Sequence, residues 1–437
     1  LQIVHKQQKL SLNLYFPVDN NSRKIKMVSE IRHYTTISAE KKAQQLNSIP
    51  KTWRIPTEIY QDATNVMDAP LACGLLNETE SRITSDYDAT ALLEKLKAGV
   101  WSAEQVTVAF CKRAAIAHQL VSDFVKAPVL KRESLIKFPE TPPWQTNCLT
   151  EIFFDDAIER AKKLDREYDP KSRRKPLPPL FGLPVSLKDS FHVSGYDTST
   201  GLGCYVDEPA EDNSALAAML IDLGAVLYCK TNLPQSIMTG DSDNNVFGRT
   251  LNPRNKSLTA GGSTGGEGAL LALRGSILGM GTDIGGSIRI PSVCNGIYGF
   301  RPSVGLVPHG GVRDLTPPGT DSVRSTAGPM ATSLRDCALF LKSIVQADTW
   351  KYDSTSISIP WMDLKPPHKL RIGVAQNDGV YTPSPPVRRG LKRVVDLLGG
   401  NNDIQIIHIN LPDAKSHYQD FVSYMALSGS DVSPSEP

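Results

Sequence analysis

The sequence predicts an α/β fold in which helices cover a β-sheet, and three stretches carry that prediction. Residues 213–232, NSALAAMLIDLGAVLYCKTN, read as an apolar helix passing through a glycine into a strand, the alternation of a sheet covered on both faces. Residues 267–284 repeat the order: EGALLALRG is a helix opened by glycines and SILGMGTDI a strand. Residues 183–187, LPVSL, form a short apolar run behind a proline-rich segment and end at Lys188, the pattern of a buried strand. The 437 residues suffice for one large α/β domain or two ordinary ones. With 40% hydrophobic and 22% charged residues the chain has the means to build a sizeable core.

Taken in order, residues 1–26 lack an initiating methionine and a secretory apolar region, so they are expected to be a non-native or disordered leader outside the domain. Met27 opens a stretch, VSEIRHYTTISAEKKAQQL, that reads as a helix running into a proline-marked loop. Residues 88–120 carry apolar residues at helical spacing, with Gly99 dividing them into two helices. Residues 121–145 break the pattern with a proline-rich insert. Val121-Ser122 can be encoded GTNAGT and Gln145 CAG, the two ends of an intron, so the insert reads as a retained intron or a surface insertion. Residues 146–165, TNCLTEIFFDDAIERAKKLD, resume the helical character, and PKSRRKPLPP then forms a linker. There are no internal repeats.

Composition excludes several function classes. A formal charge of +2 is too small to indicate a nucleic-acid partner. The seven cysteines are dispersed, without a C-x-x-C pair or zinc spacing, which predicts no metal site and a reducing, cytoplasmic setting. No apolar run is long enough to span a membrane.

Two glycine-rich stretches are candidates for chemistry. GGSTGG at 261–266 is followed by Glu267 rather than lysine, so it is not a phosphate loop. GMGTDIGG at 279–286 has the wrong glycine spacing for a dinucleotide fold and no acidic residue after a following strand. Gly261-Gly262-Ser263-Thr264-Gly265 matches the G-x-S-x-G elbow of α/β-hydrolases. That elbow needs a strand before it, where NPRNKSLTA looks loop-like, and a histidine, for which His309 is the candidate. The residues that fit together best are Lys188, Ser263 and Ser287. A lysine at the end of a buried strand is pushed toward its neutral form, and a serine becomes nucleophilic when an adjacent base takes its proton. Ser287 follows Gly285-Gly286, so the N–H groups of 284–287 can converge on one small volume, the arrangement of an oxyanion hole. Singly, each of these residues is an ordinary serine or lysine.

The combination GLPVSLKD (182–189), GGSTGGEGALLALRGSILGMGTDIGGSIRIP (261–291) and CNGIYGFRPS (294–303) resembles the amidase signature family. Ser287 follows Ser263 by 24 residues, a spacing like that of the family's fatty acid amide hydrolases and fungal amidases. Smaller matches (TNLPQS, FGRTLNP, AGPMATS) point to its fungal acetamidase-like branch. The resemblance implies a single large α/β domain over 27–437 with a mixed sheet covered by helices. It implies that Ser287 is the acyl-forming nucleophile, Lys188 the base, and Ser263 a relay whose peptide bond from Gly262 is cis. Backbone N–H groups of Ile284, Gly285, Gly286 and Ser287 would hold the oxyanion, and Ile237 would contact substrate. Thr264 stands where many members carry a second serine. The implied reaction is hydrolysis of small aliphatic or aromatic amides, with no metal or organic cofactor and no partner beyond the small-molecule substrate; a homodimer is compatible with it. An inactive amidase-like protein and an amidotransferase-type subunit share the same signature. Family members run on well beyond the residues that end this chain, IQIIHINLPDAKSHYQDFVSYMALSGSDVSPSEP, so the C-terminal part of the domain is expected to be missing and that end to be a polar tail.

Overall fold

A computed structural model describes residues 33–430 other than 57–59, 61–62, 121–146, 169–174, 314–322, 366 and 412. The leader at 1–26 and the insert at 121–145 lie outside the described residues. The chain divides into residues 1–33 and a compact unit of 34–437, to which all that follows refers.

The N-terminal part is helical: α1 (Tyr34–Asn47), α2 (Ala69–Ala72), α3 (Glu78–Ser85), α4 (Ala89–Lys97) and α5 (Ala103–Leu120). Asp88 caps α4 by accepting from the Ala91 N–H, and the helix stops as predicted at Gly99, whose φ is 64°. α5 is buried along most of its length and packs through alanines, Phe110 and Ile116, as a helix enclosed on nearly all sides must.

Strands follow in alternation with helices: β1 (Leu149–Ile152), α6 (Phe154–Glu167), β2 (Pro184–Lys188), α7 (Ala215–Asp222) and β3 (Val226–Thr231). Next come the hairpin β4 (Leu251–Asn252) and β5 (Asn255–Thr259), then α8 (Gly265–Ala272), β6 (Leu278–Asp283), α9 (Arg289–Asn295), β7 (Tyr298–Gly299), β8 (Thr326–Ala331) and α10 (Leu334–Val345). The helix expected over 146–165 is therefore a short strand followed by a helix. Leu149 to Ile152 pair antiparallel with β3 and are buried on both faces, so they show no alternation. The loop expected before residue 261 contains β5, a polar strand held by backbone pairing to β4.

Six strands form one mixed sheet in the order β1-β3-β2-β6-β8-β7. Its centre, β3-β2-β6, is parallel, and β1, β8 and β7 add antiparallel pairs at the sides. The three parallel strands are buried throughout, the mark of a sheet covered on both faces. Their carboxyl ends, at Lys188, Thr231 and Asp283, lie together, the place where open α/β sheets hold their ligands.

The C-terminal part is a βαβ unit, β9 (Leu370–Val374), α11 (Pro385–Gly399) and β10 (Ile404–His408), followed by α12 (Ala414–Ser430). β9 and β10 pair in parallel. The end expected as a polar tail is helical through Ser430, and residues 431–437 lie outside the described residues.

Candidate active site

Lys188 is the last residue of β2, and its side chain is fully buried. The parallel register pairs Ser186 with Gly279 and Leu187 with Met280, which brings the end of β6 alongside. Lys188 Nζ is hydrogen-bonded to Ser263 Oγ at 2.6 Å and donates to Thr282 Oγ1 at 2.9 Å. Burial pulls this amine from its ordinary 10.5 down to about 7, while the nearby Asp283 carboxylate pulls the other way. Desolvation wins because no carboxylate pairs with Nζ directly among the described residues.

Ser263 is buried in the turn between β5 and α8, and the Gly262–Ser263 peptide is cis. Gly262 is packed so tightly that a β-carbon there would lie 2.5 Å from the Thr239 carbonyl oxygen and 2.7 Å from the Asp241 nitrogen. Ser242 holds the same turn from both sides: its hydroxyl donates to the Gly261 carbonyl (3.0 Å) and accepts from the Gly265 N–H (2.9 Å).

Ser287 lies in the turn between β6 and α9 and is half-buried. The helix itself begins at Arg289, two residues after the serine. Gly281 brings this turn to the Ser263 turn: a β-carbon at Gly281 would lie 3.0 Å from both Thr264 Cγ2 and Ile288 Cγ1. No hydrogen bond joins Ser287 Oγ to Ser263 among the described residues.

Asp283 organises the turn. Its buried carboxylate accepts from the N–H groups of Gly286 (2.8 Å) and Ile288 (3.1 Å), and Arg289 grips it through Nε (3.0 Å) and Nη2 (2.9 Å). These bonds hold Asp283 below the usual carboxylate range in spite of its burial. The Gly286 N–H is thus spent on Asp283, whereas those of Ile284, Gly285 and Ser287 have no acceptor among the described residues. Phe421 of α12 reaches the same turn, since a β-carbon at Gly285 would lie 3.1 Å from its Cζ.

Ile237 is half-buried in the loop that abuts Gly262, with φ 68°, and Ser236 beside it has φ 62°. A β-branched residue in the left-handed region is a real outlier, and such strain collects at functional sites. The loop is held by the Ser236 N–H donating to Thr200 O (3.2 Å) and the Ile237 N–H to Pro234 O (3.0 Å).

Thr282 and Asp283 were not singled out in the sequence. Their signal was a hydroxyl and a carboxylate closing an otherwise apolar strand just before a Gly-Gly turn. His309 Nε2 is hydrogen-bonded to Ser325 Oγ at 2.8 Å.

The family described as Amidase matches residues 140–433. The chain belongs to the amidase family. The chain is 42% identical over 375 residues to an "Amidase" of Gibberella moniliformis, covering 84% of this chain and 66% of that one. It is 40% identical to an "Acetamidase" of Emericella nidulans, over 83% of this chain and 62% of the relative. A solved "Fatty acid amide hydrolase" superposes with a TM-score of 0.77 at 33% identity, over 92% of this chain and 69% of that structure. The chain thus spans under two thirds of the length of these curated relatives. Among the described residues no helix is long and apolar enough to cross a membrane.

Proposed function

We propose that this amidase hydrolyses small aliphatic or aromatic carboxylic amides to a carboxylate and ammonia, through an acyl-enzyme on Ser287. The observation that carries the reading is the 2.6 Å contact between a buried lysine lowered to about 7 and the Ser263 hydroxyl. A neutral amine in that place accepts the Ser263 proton while Ser263 Oγ accepts the proton of Ser287. Ser287 Oγ then bonds the amide carbon, and its former carbonyl oxygen takes the negative charge. The N–H groups of Ile284, Gly285 and Ser287 are the free donors for that charge, and Gly286 shapes the turn through Asp283. Return of the proton through Ser263 to the leaving nitrogen breaks the C–N bond and releases ammonia. Water then cleaves the acyl ester by the same relay. Ile237 and Phe421 would border the substrate. The dispersed cysteines, with no C-x-x-C pair, fit a reducing, cytoplasmic setting.

The test is ammonia release from acetamide and benzamide by purified protein, together with fluorophosphonate labelling. Loss of both in Ser287→Ala is the expected result. Turnover that survives Ser287→Ala would overturn the assignment.

A further inference from the structure

One buried acid beside this site has no part in the chemistry just described. Glu267 lies in the first turn of α8, directly after the turn that carries Ser263. Its carboxyl is fully buried: Oε2 accepts from Thr231 Oγ1 at 2.8 Å and Oε1 is paired with Ser186 Oγ. Ser186 Oγ is in turn 2.7 Å from Ser276 Oγ. A β-carbon at Gly279 would fall on the Glu267 carboxyl, so that strand position has to be glycine.

These contacts join the helix to all three central strands. Ser186 precedes Lys188 by two positions on the same face of β2, Thr231 is the register partner of Lys188 on β3, and Gly279 is the register partner of Ser186 on β6. Tyr228 and Cys229 are titratable groups whose titration feels Glu267, and both are held protonated by burial. No cation pairs with Glu267 among the described residues. Lys230 faces away, toward Asp189. An ionised carboxylate there would be buried without a counter-charge, at high cost, and burial pushes the group up to about 7.

We propose that Glu267 is a positioning residue that ties the Ser263-bearing helix to the Lys188-bearing strand through its hydrogen bonds. The proposal rests on the amidase reading above. With the carboxyl protonated, Oε1–H can donate to Ser186 Oγ while the Ser186 hydroxyl donates to Ser276 Oγ and Oε2 accepts from Thr231; ionised, the carboxylate accepts from Ser186 and Thr231. Glutamine offers the same donor and acceptor. Aspartate is too short to reach, and alanine offers neither.

The test compares Glu267→Gln, Glu267→Asp and Glu267→Ala in the purified full chain. Benzamide turnover is measured across the neutral to alkaline range, with thermal melting and infrared difference spectra alongside. Glu267→Gln is expected to keep kcat within about threefold and to keep the wild-type pH midpoint and melting temperature. Glu267→Ala and Glu267→Asp are expected to lose about 100-fold in kcat, with less change in KM, since small misalignment of a relay is costly. The spectrum should show a protonated carboxylic C=O stretch at mildly acidic pH that Glu267→Gln removes. The proposal is overturned if glutamine is as damaging as alanine or if alanine is harmless. A wild-type protein that releases no ammonia would instead defeat the amidase reading, and the melting comparison would still decide the role of Glu267.

Discussion

Lys188 Nζ lies 2.6 Å from Ser263 Oγ at the end of a buried strand, and its other hydrogen bond goes to the uncharged Thr282. On the proposed mechanism, the contact makes the amine's protonation state the control on chemistry. With a folded value of about 7, amide turnover is expected to rise with pH through about 7 and to level off above it. The same shift acts on stability. Between about 7 and 10.5 the unfolded lysine holds a proton that the folded one does not, so its contribution to stability rises with pH across that window. Lys188→Met should abolish turnover, flatten that rise and leave the melting temperature at pH 7 no lower. An unchanged pH–rate profile in Lys188→Met would remove the lysine from the mechanism.

Asp283 and Arg289 form a pair whose members are unequal in burial. The arginine side chain is 54% exposed and the aspartate fully buried. An exposed guanidinium contributes little through such a pair, whereas the carboxylate fixes the backbone N–H groups of Gly286, Ile288 and Arg289. Asp283→Ala is therefore expected to slow fluorophosphonate labelling of Ser287 by about 100-fold, the scale of a lost oxyanion donor. Arg289→Met should cost clearly less in the same assay. Equal losses would show that the arginine acts on substrate directly.

Gly262 and Gly240 offer a matched pair of substitutions. A β-carbon at Gly262 meets backbone atoms of 239–241, while one at Gly240 meets nothing within 4 Å. Gly262→Ala should lower stability by about 1–3 kcal/mol or more, as overpacking does; Gly240→Ala should melt as wild type. Differential scanning calorimetry of the two variants checks both.

Lys230 and Asp189 form an ion pair at 2.9 Å with both side chains buried. Lys230 also donates to Thr198 Oγ1 (2.8 Å), and Asp189 accepts from Ser199 Oγ (2.7 Å) and the Thr200 N–H (3.2 Å). Removing one member leaves the other charge buried and unpaired, so Lys230→Met should destabilise by about 3–5 kcal/mol. The double variant Asp189→Leu with Lys230→Met should recover part of that in urea denaturation. No recovery would mean that the surrounding hydroxyls, rather than the pair, hold the loop.

The parts of the fold that were legible in the sequence are those where pattern and packing agree. β2, the α7–β3 unit and the α8–β6 unit are continuous apolar runs punctuated by glycine, and each lies where the sequence predicts. The elements missed are those held mainly by backbone pairing or by distant contacts. β1 carries Thr150 and Glu151 in a buried strand, where Glu151 forms an ion pair with Lys41 of α1, far away in sequence. β8 contains Pro329, which argues against a central strand, yet it pairs with β6 along its full length. Lys188 and Ser263 were grouped by their chemistry and given roles by resemblance, because nothing local to either residue encodes a contact across 75 positions. Thr282, Asp283 and Glu267 needed the register of β2 against β6 and the seating of α8 before their partners could be named.

The packing of Gly262 against residues 239–241 has a practical consequence for redesign. The loop that carries Ile237 and the peptide that carries Ser263 share one piece of backbone contact. Grafting that loop from a relative would therefore alter the Ser263 turn along with the Ile237 loop. On α12, by contrast, Phe421 meets the Ser287 turn at Gly285 through the tip of its ring, so it can be varied without touching the Gly262 contact.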